Sequence, residues 1–369
     1  MWRGKYRDAT GGGGSRVILS FVGKYPSHLF QRASLLLFCI RHRLPTMIND
    51  KTIVCVSASF ENKEQLFHTI CKYAQSRDER FAYWDEFAFT AELLPACDAL
   101  LILNAPSQAI EISCYPEKVI AMMMEPGDPV IHPWMFQELE QYHRVYSPIS
   151  QSANTVLSHG FLGWYPGQNY NYLKNLAVPE KTKMISCIAS DLKQLEGHRR
   201  RLNFVNDLKQ DYPSIDFFGK GSHFLPEKMD GLLPYKYSVA IENSSSDNYF
   251  TEKINDCFLA YTVPVYYGCR NIDKYFPSQS FIAIDIDKRD ATRKKISDLQ
   301  QQDDWNQRLP YIQEARELVL QKYQPLAGAA AILKQLPASE KKMIVLKPIQ
   351  PGIFRKLKKT LSRFLNKTG

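Results

Sequence analysis

No apolar run in the 369-residue chain approaches the ~18–20 residues that a membrane-spanning helix needs. The best candidate, residues 33–40, is bounded by Arg32 and Arg41, so a soluble or peripheral protein is expected. Close cysteine pairs are missing too. Cys39, Cys55, Cys71, Cys97, Cys114, Cys187, Cys257 and Cys269 are never closer than twelve residues apart, which removes metal-knuckle and redox spacings. A reduced, cytoplasmic chain is the expectation. The eight histidines show no ligand spacing, so neither a protein-built metal site nor a cofactor is predicted. Basic residues are scarce where a nucleic-acid groove would need them. The formal charge is +9, but residues 341–369 carry nine Lys/Arg and no acid, and residues 1–50 carry eight against two. That leaves residues 51–340 at a net −6, and no nucleic-acid partner is expected.

What is present is a packed body, with 44% apolar and 12% aromatic residues and length enough for two domains. Residues 1–50, basic and interrupted by the Gly11–Gly14 run, are expected to be a poorly ordered extension. Residues 51–170 form a first α/β unit, with strands predicted at 52–56, 99–104 and 119–124 and helices at 63–74 and 133–142. The aperiodic stretch 164–183 marks a boundary. Residues 171–335 form a second unit, with strands at 184–189, 215–218, 237–241, 263–267 and 281–285 and helices at 198–210 and 252–261. Such alternation predicts parallel sheets with ligand crevices at the carboxyl ends of their strands. Residues 336–369 read as a basic tail, within which 353–367 reads as an amphipathic helix. Ile353, Phe354, Leu357, Leu361, Phe364 and Leu365 share one face, and an anionic membrane surface is its expected partner.

The most specific stretch is 237–268, YSVAIENSSSDNYFTEKINDCFLAYTVPVYYG. Thr251 can cap a helix whose first turn holds Glu252 and Lys253. A lysine there opposes the helix dipole unless an anion compensates it, which suits a phosphate site. Asn243-Ser244-Ser245 fits a glycosylation acceptor, but its place in this loop argues against a bulky glycan. Glu125, in MMMEPGDP, ends an apolar strand where partial desolvation would raise a carboxyl pKa and suit a general base; Asp128 is the alternative base. Gly219 and Gly221, in FFGKG, permit close approach of a ligand or a tight turn.

IENSSSDNYFTEK, followed by FLAYTVPVYYG and SFIAID, resembles the signature of the α1,3/4-fucosyltransferases of glycosyltransferase family ten, strongly in the second half of the chain and weakly in the first. The resemblance implies a GT-B fold, with two Rossmann-like domains facing a cleft, the first on the acceptor side and the second binding GDP-fucose. It implies that Arg201 and Lys253 hold the diphosphate and that Asn243 and Tyr249 line the donor pocket. Glu125 takes the place of the family's proposed base, although here Pro126 follows it directly where the family has serine. Glu252 suits sugar hydroxyls or charge at the anomeric carbon. Arg199 and Arg200 are expected to face solvent, and Asp285 and Asp287 to be structural. The implied reaction is inverting transfer of L-fucose from GDP-fucose to a GlcNAc- or glucose-containing acceptor glycan, of the lipopolysaccharide or capsule type, at the inner face of the membrane. Two rivals stand beside it: the same fold using another nucleotide sugar, and a non-catalytic glycan-binding or membrane-associated protein.

Overall fold

The computed structural model describes residues 50–349 except 166 and 220–222. The predicted extension (up to residue 49), the amphipathic helix at 353–367 and Gly221 therefore lie outside the described residues. Among the described residues, no helix is long and apolar enough to cross a membrane.

The first domain is built on strands β1 (Thr52–Ala58), β2 (Ser76–Arg77), β3 (Ala82–Trp84), β4 (Phe87–Thr90) and β5 (Ala99–Leu103). It continues through β6 (Ile110–Cys114), β7 (Val119–Met122), β8 (Arg144–Ser147) and β9 (Thr155–Leu157). Eight of these form one sheet in the order β2-β3-β4-β1-β5-β7-β8-β9, parallel from β4 to β9. The apolar runs TIVCVSA, ALLIL and VIAM occupy its centre because a parallel sheet is covered on both faces and excludes polar side chains from either. Helix α1 (Lys63–Tyr73) starts at Asn62, whose carboxamide accepts the Gln65 N–H at 2.9 Å while Gln65 reaches back to the Asn62 N–H.

The helix predicted at 133–142 does not form. Two 3₁₀ turns, Pro133–Phe136 and Leu139–Gln141, stand there, separated by Glu138 in the left-handed region at φ 53°. One left-handed residue breaks the hydrogen-bond ladder that a continuous helix requires. The predicted boundary stretch in turn contains a short helix, α2 (Tyr170–Asn175), capped by Asn169.

The second domain is a five-stranded sheet of β10 (Lys183–Ile188), β11 (Asp216–Phe218), β12 (Tyr235–Ile241), β13 (Val263–Tyr267) and β14 (Ile282–Ala283). All its pairings are parallel, in the order β11-β10-β12-β13-β14. Helix α3 (Glu196–Asp211) connects β10 to β11, and α4 (Glu252–Leu259) connects β12 to β13. Their amino ends sit at the carboxyl edge of the sheet, as βαβ topology demands. Two such parallel-sheet units in tandem are the GT-B architecture anticipated from the sequence.

Helices α5 (Arg289–Gln301), α6 (Trp305–Leu318) and α7 (Pro325–Gln335) follow. The last of them returns to the first domain, where it packs on α1 and β3 and where Lys334 pairs with Glu86 at 2.9 Å. The segment expected to be tail then contributes a strand, β15 (Lys342–Leu346), antiparallel to β6. Its alternation of exposed Met343 and Val345 with more buried Ile344 and Leu346 is the two-residue period of a one-sided strand.

The two domains are joined through residues 162–165. Asn255 of α4 donates to the Leu162 and Gly163 carbonyls at 2.8 and 2.9 Å, and the Tyr165 N–H donates to Asp256 at 3.0 Å. From the other side, Lys72 of α1 donates to the Trp164 carbonyl at 2.6 Å. The buried Trp164 indole stands edge-on to Tyr73, with ring centroids 4.6 Å apart.

Candidate active site

The carboxyl ends of β10 and β12 and the amino ends of α3 and α4 converge on one cluster of charge. Arg201, on the second turn of α3, is almost fully buried. One of its terminal nitrogens donates to the Asn243 carboxamide oxygen, and the other donates to the Ser190 carbonyl at 3.1 Å and hydroxyl at 2.7 Å. Its Nε is buried and has no hydrogen-bond partner among the described residues. Burial lowers the guanidinium pKa from its ordinary value, with Cys187, Glu242 and Glu252 opposing that effect.

Thr251 caps α4 as expected: its hydroxyl accepts the Lys253 N–H at 3.3 Å and also donates to Glu242. Lys253 then lies among Thr251 Oγ1 at 3.1 Å, Glu242 Oε2 at 3.1 Å and Glu252 Oε1 at 3.2 Å. Burial alone would pull the ammonium pKa down, but the two carboxylates outweigh it and hold the group above its ordinary range. Anions therefore do compensate the lysine in the first helical turn, and in this structure they are Glu242 and Glu252. Glu252 is pushed up by burial and down more strongly by Lys253 and Lys228, so it stays ionised through the neutral range.

Glu242 escaped the sequence reading, although it stands directly before Asn243 at the end of β12. It is fully buried and accepts the Thr251 N–H at 2.9 Å as well as the Thr251 hydroxyl. The usable signal was a carboxylate closing a strand of otherwise apolar residues, since such a group needs a cation and donors at once. Lys228 was missed as well. It pairs at 2.5 Å with Asp256, whose side chain is wholly buried, and sits over the Tyr165 ring at 5.7 Å. Burial and the Glu252 charge lift the Asp256 carboxyl pKa even with Lys228 against it.

Tyr249 is buried, and its phenol is raised well above the usual range, first by burial and then by the charges of Glu125, Glu242 and Glu252. Glu125 belongs to the first domain, so this phenol lies within the field of carboxylates from both. Glu125 itself is half-buried in the loop after β7, and burial raises its carboxyl pKa, the direction that suits a general base. Its Oε2 lies 3.5 Å from Nε2 of His132. The alternative base is otherwise engaged: Asp128 is exposed and accepts the N–H groups of Val130 and Ile131 at 2.8 and 2.9 Å, closing a turn.

Gly219 serves the backbone. It adopts φ +123°, and a β-carbon there would collide with the Ala189 carbonyl, one residue before the Ser190 that holds Arg201. Arg199 and Arg200 are exposed and pair with Glu196 and Asp287. Asp285 accepts the Asp287 N–H at 3.0 Å within the same turn.

Gly197 carries a requirement that the sequence reading did not isolate. A β-carbon on it would fall on the Asn243 carbonyl, so only glycine lets the start of α3 lie against the loop after β12. Gly197→Ala is expected to lower stability by about 1–3 kcal/mol through overpacking and to displace Asn243 from Arg201. Urea unfolding together with GDP titration measures both effects, and unchanged GDP affinity would show that this packing does not shape the site.

Residues 178–311 match the family model described as glycosyltransferase family 10 (fucosyltransferase), C-terminal. Alpha-(1,3)-fucosyltransferase 4 of Bos taurus is 32% identical over 140 residues, 36% of this chain and 34% of that protein. The 4-galactosyl-N-acetylglucosaminide 3-alpha-L-fucosyltransferase FUT6 of Homo sapiens is 26% identical over 159 residues, 42% of this chain and 43% of that protein. The chain thus spans less than half the length of these curated relatives. A solved structure of an alpha1,3-fucosyltransferase with GDP-fucose aligns with a TM-score of 0.43 at 13% identity, covering 74% of this chain and 93% of that one.

Proposed function

We propose, from the match of residues 178–311 to the C-terminal model of glycosyltransferase family 10, that this chain is an inverting fucosyltransferase that moves L-fucose from GDP-fucose to a hydroxyl of an acceptor glycan. One observation carries the reading: Lys253 contacts Glu242 and Glu252, the same two carboxylates act on Arg201, and Glu125 of the other domain acts on Tyr249 within that cluster.

On donor binding, the two phosphates take over from the carboxylates as counter-ions of Lys253. Arg201, with a planar fork and an unsatisfied Nε, suits bidentate contact with phosphate oxygens. Glu252 is then released to the sugar hydroxyls or to the positive charge that builds at the anomeric carbon. Glu125 takes the proton from the acceptor hydroxyl, whose oxygen attacks the anomeric carbon as the bond to GDP breaks. The electron pair leaves on the diphosphate, and a single displacement inverts the centre. The acceptor is a glycan containing GlcNAc or glucose.

The test is incubation with labelled GDP-fucose and a panel of glycan acceptors, with GDP-mannose and UDP-sugars run beside it. Fucosylated product from GDP-fucose alone is expected. Faster turnover of another nucleotide sugar would move the assignment to that donor, and no turnover with GDP binding retained would favour a non-catalytic glycan binder.

Peripheral attachment at the inner membrane face through 353–367 belongs to the same reading. Full-length protein is expected to co-sediment with anionic liposomes and a 1–349 truncation to remain in solution; equal binding rejects attachment. The cut belongs after residue 349, because Lys342–Leu346 pairs with β6 and a shorter chain would lose part of the fold.

A further inference from the structure

Between Glu125 and Trp134, the loop after β7 folds back on itself. The Asp128 carboxylate accepts the Val130 and Ile131 N–H groups, and the Asp128 carbonyl accepts the His132 N–H at 2.7 Å. Pro133 fixes the backbone after His132, and the Trp134 ring stands edge-on to the imidazole with centroids 6.3 Å apart. The result is an imidazole held with Nε2 toward Glu125 Oε2 at 3.5 Å.

The two ring nitrogens are not equivalent. Nδ1 is buried and has no hydrogen-bond partner among the described residues, whereas Nε2 faces a carboxylate. Burial pulls the imidazole pKa below its ordinary value against the opposing Asp128 charge, which favours the singly protonated ring at neutral pH. A proton on Nδ1 would be a buried donor with no acceptor, while a proton on Nε2 has an ionised acceptor in front of it. The second arrangement is favoured because a buried donor without an acceptor loses its hydration with nothing in return.

We propose that His132 is a positioning residue for Glu125: its Nε2–H is given to Glu125 Oε2, which keeps the carboxylate ionised and turns the other oxygen toward the acceptor hydroxyl. The role of the carboxylate rests on the preceding functional reading; the contact itself does not. The separation of 3.5 Å is long for a formed bond, and contacts of this kind tighten when substrate closes the site. The groups that bear on the pair are Tyr249 from the second domain, facing Glu125, and Asp128 on the same loop, facing His132.

The experiment compares full-length wild type, His132→Phe, which keeps a ring against Trp134, and His132→Gln, which restores an N–H donor. The Glu125 carboxyl is followed by ¹³C NMR titration and assigned by its loss in Glu125→Gln, which requires no turnover. His132→Phe is expected to raise the Glu125 pKa by about one unit, because a donor to the charged form is lost, and His132→Gln to bring it back. With GDP-fucose and the acceptor found in the panel, kcat should fall about tenfold in His132→Phe with KM for GDP-fucose unchanged, and the acidic limb of kcat should move to higher pH. An unmoved Glu125 titration in His132→Phe overturns the inference. A moved titration together with full activity in Glu125→Gln sustains the contact but removes Glu125 as the base.

Discussion

Glu125→Gln is expected to lower kcat by about 10³-fold, within the range that general-base catalysis contributes, with GDP affinity left close to wild type. The substitution keeps the volume and leaves Arg201 and Lys253 in place while removing the carboxylate proposed as proton acceptor. Turnover in the wild type should also carry an acidic limb, because only the ionised carboxylate accepts a proton. Burial raises the Glu125 pKa above its ordinary value, so activity should be lost as pH falls through a midpoint above the usual range for a glutamate. Initial rates between pH 4 and pH 9 test this. In Glu125→Gln, the residual rate should show no such limb. A glutamine variant with wild-type kcat would transfer the role of base elsewhere.

Lys253→Met should produce the second large effect, in two separable parts. Glu242 is buried and Glu252 partly so, and Lys253 contacts both. Removing one partner of a buried charge pair costs ~3–5 kcal/mol, because the desolvation of the survivors is no longer offset. Folding stability should fall by that order in urea unfolding, and GDP binding should fall with it. The double variant Glu242→Gln/Lys253→Met separates the parts, since a neutral amide at 242 no longer needs the cation. Stability should largely return in the double variant while GDP affinity stays low. Recovery of both would mean that Lys253 serves the fold alone, and wild-type GDP affinity in the single variant would remove it from the phosphate site.

The parallel strands were legible because their burial on both faces writes itself as uninterrupted apolar runs. Residues 52–56, 99–104, 119–124, 237–241 and 263–267 each contain the core of a real strand. The β3–β4 hairpin was not legible. AYWDEFAFT turns through Asp85 at φ 49° without a glycine to announce it, and its residues are apolar on both faces. The helix expected at 133–142 fails on Glu138, whose left-handed backbone is imposed by its surroundings rather than by any preference of glutamate.

At the site, Lys253, Glu252 and the Thr251 cap follow from a local rule about helix amino ends. Arg201, Asn243 and Tyr249 came from the resemblance. Glu242, Lys228 and His132 owe their roles to partners brought close by folding. Asp256 is 28 residues from Lys228, a separation that no local pattern encodes.

The pairing of β15 with β6 has a mechanical consequence. The polypeptide leaves the second domain after α6, crosses to the first at α7 and stays there through Leu346. Anything that tethers the chain beyond residue 349 therefore pulls first on the half that carries Glu125, and reaches the half that carries Arg201 and Lys253 only through the 162–165 contacts, the α6–α7 crossover and the shared apolar core. A load applied there is met by the β15–β6 pairing before any of it arrives at Arg201 or Lys253.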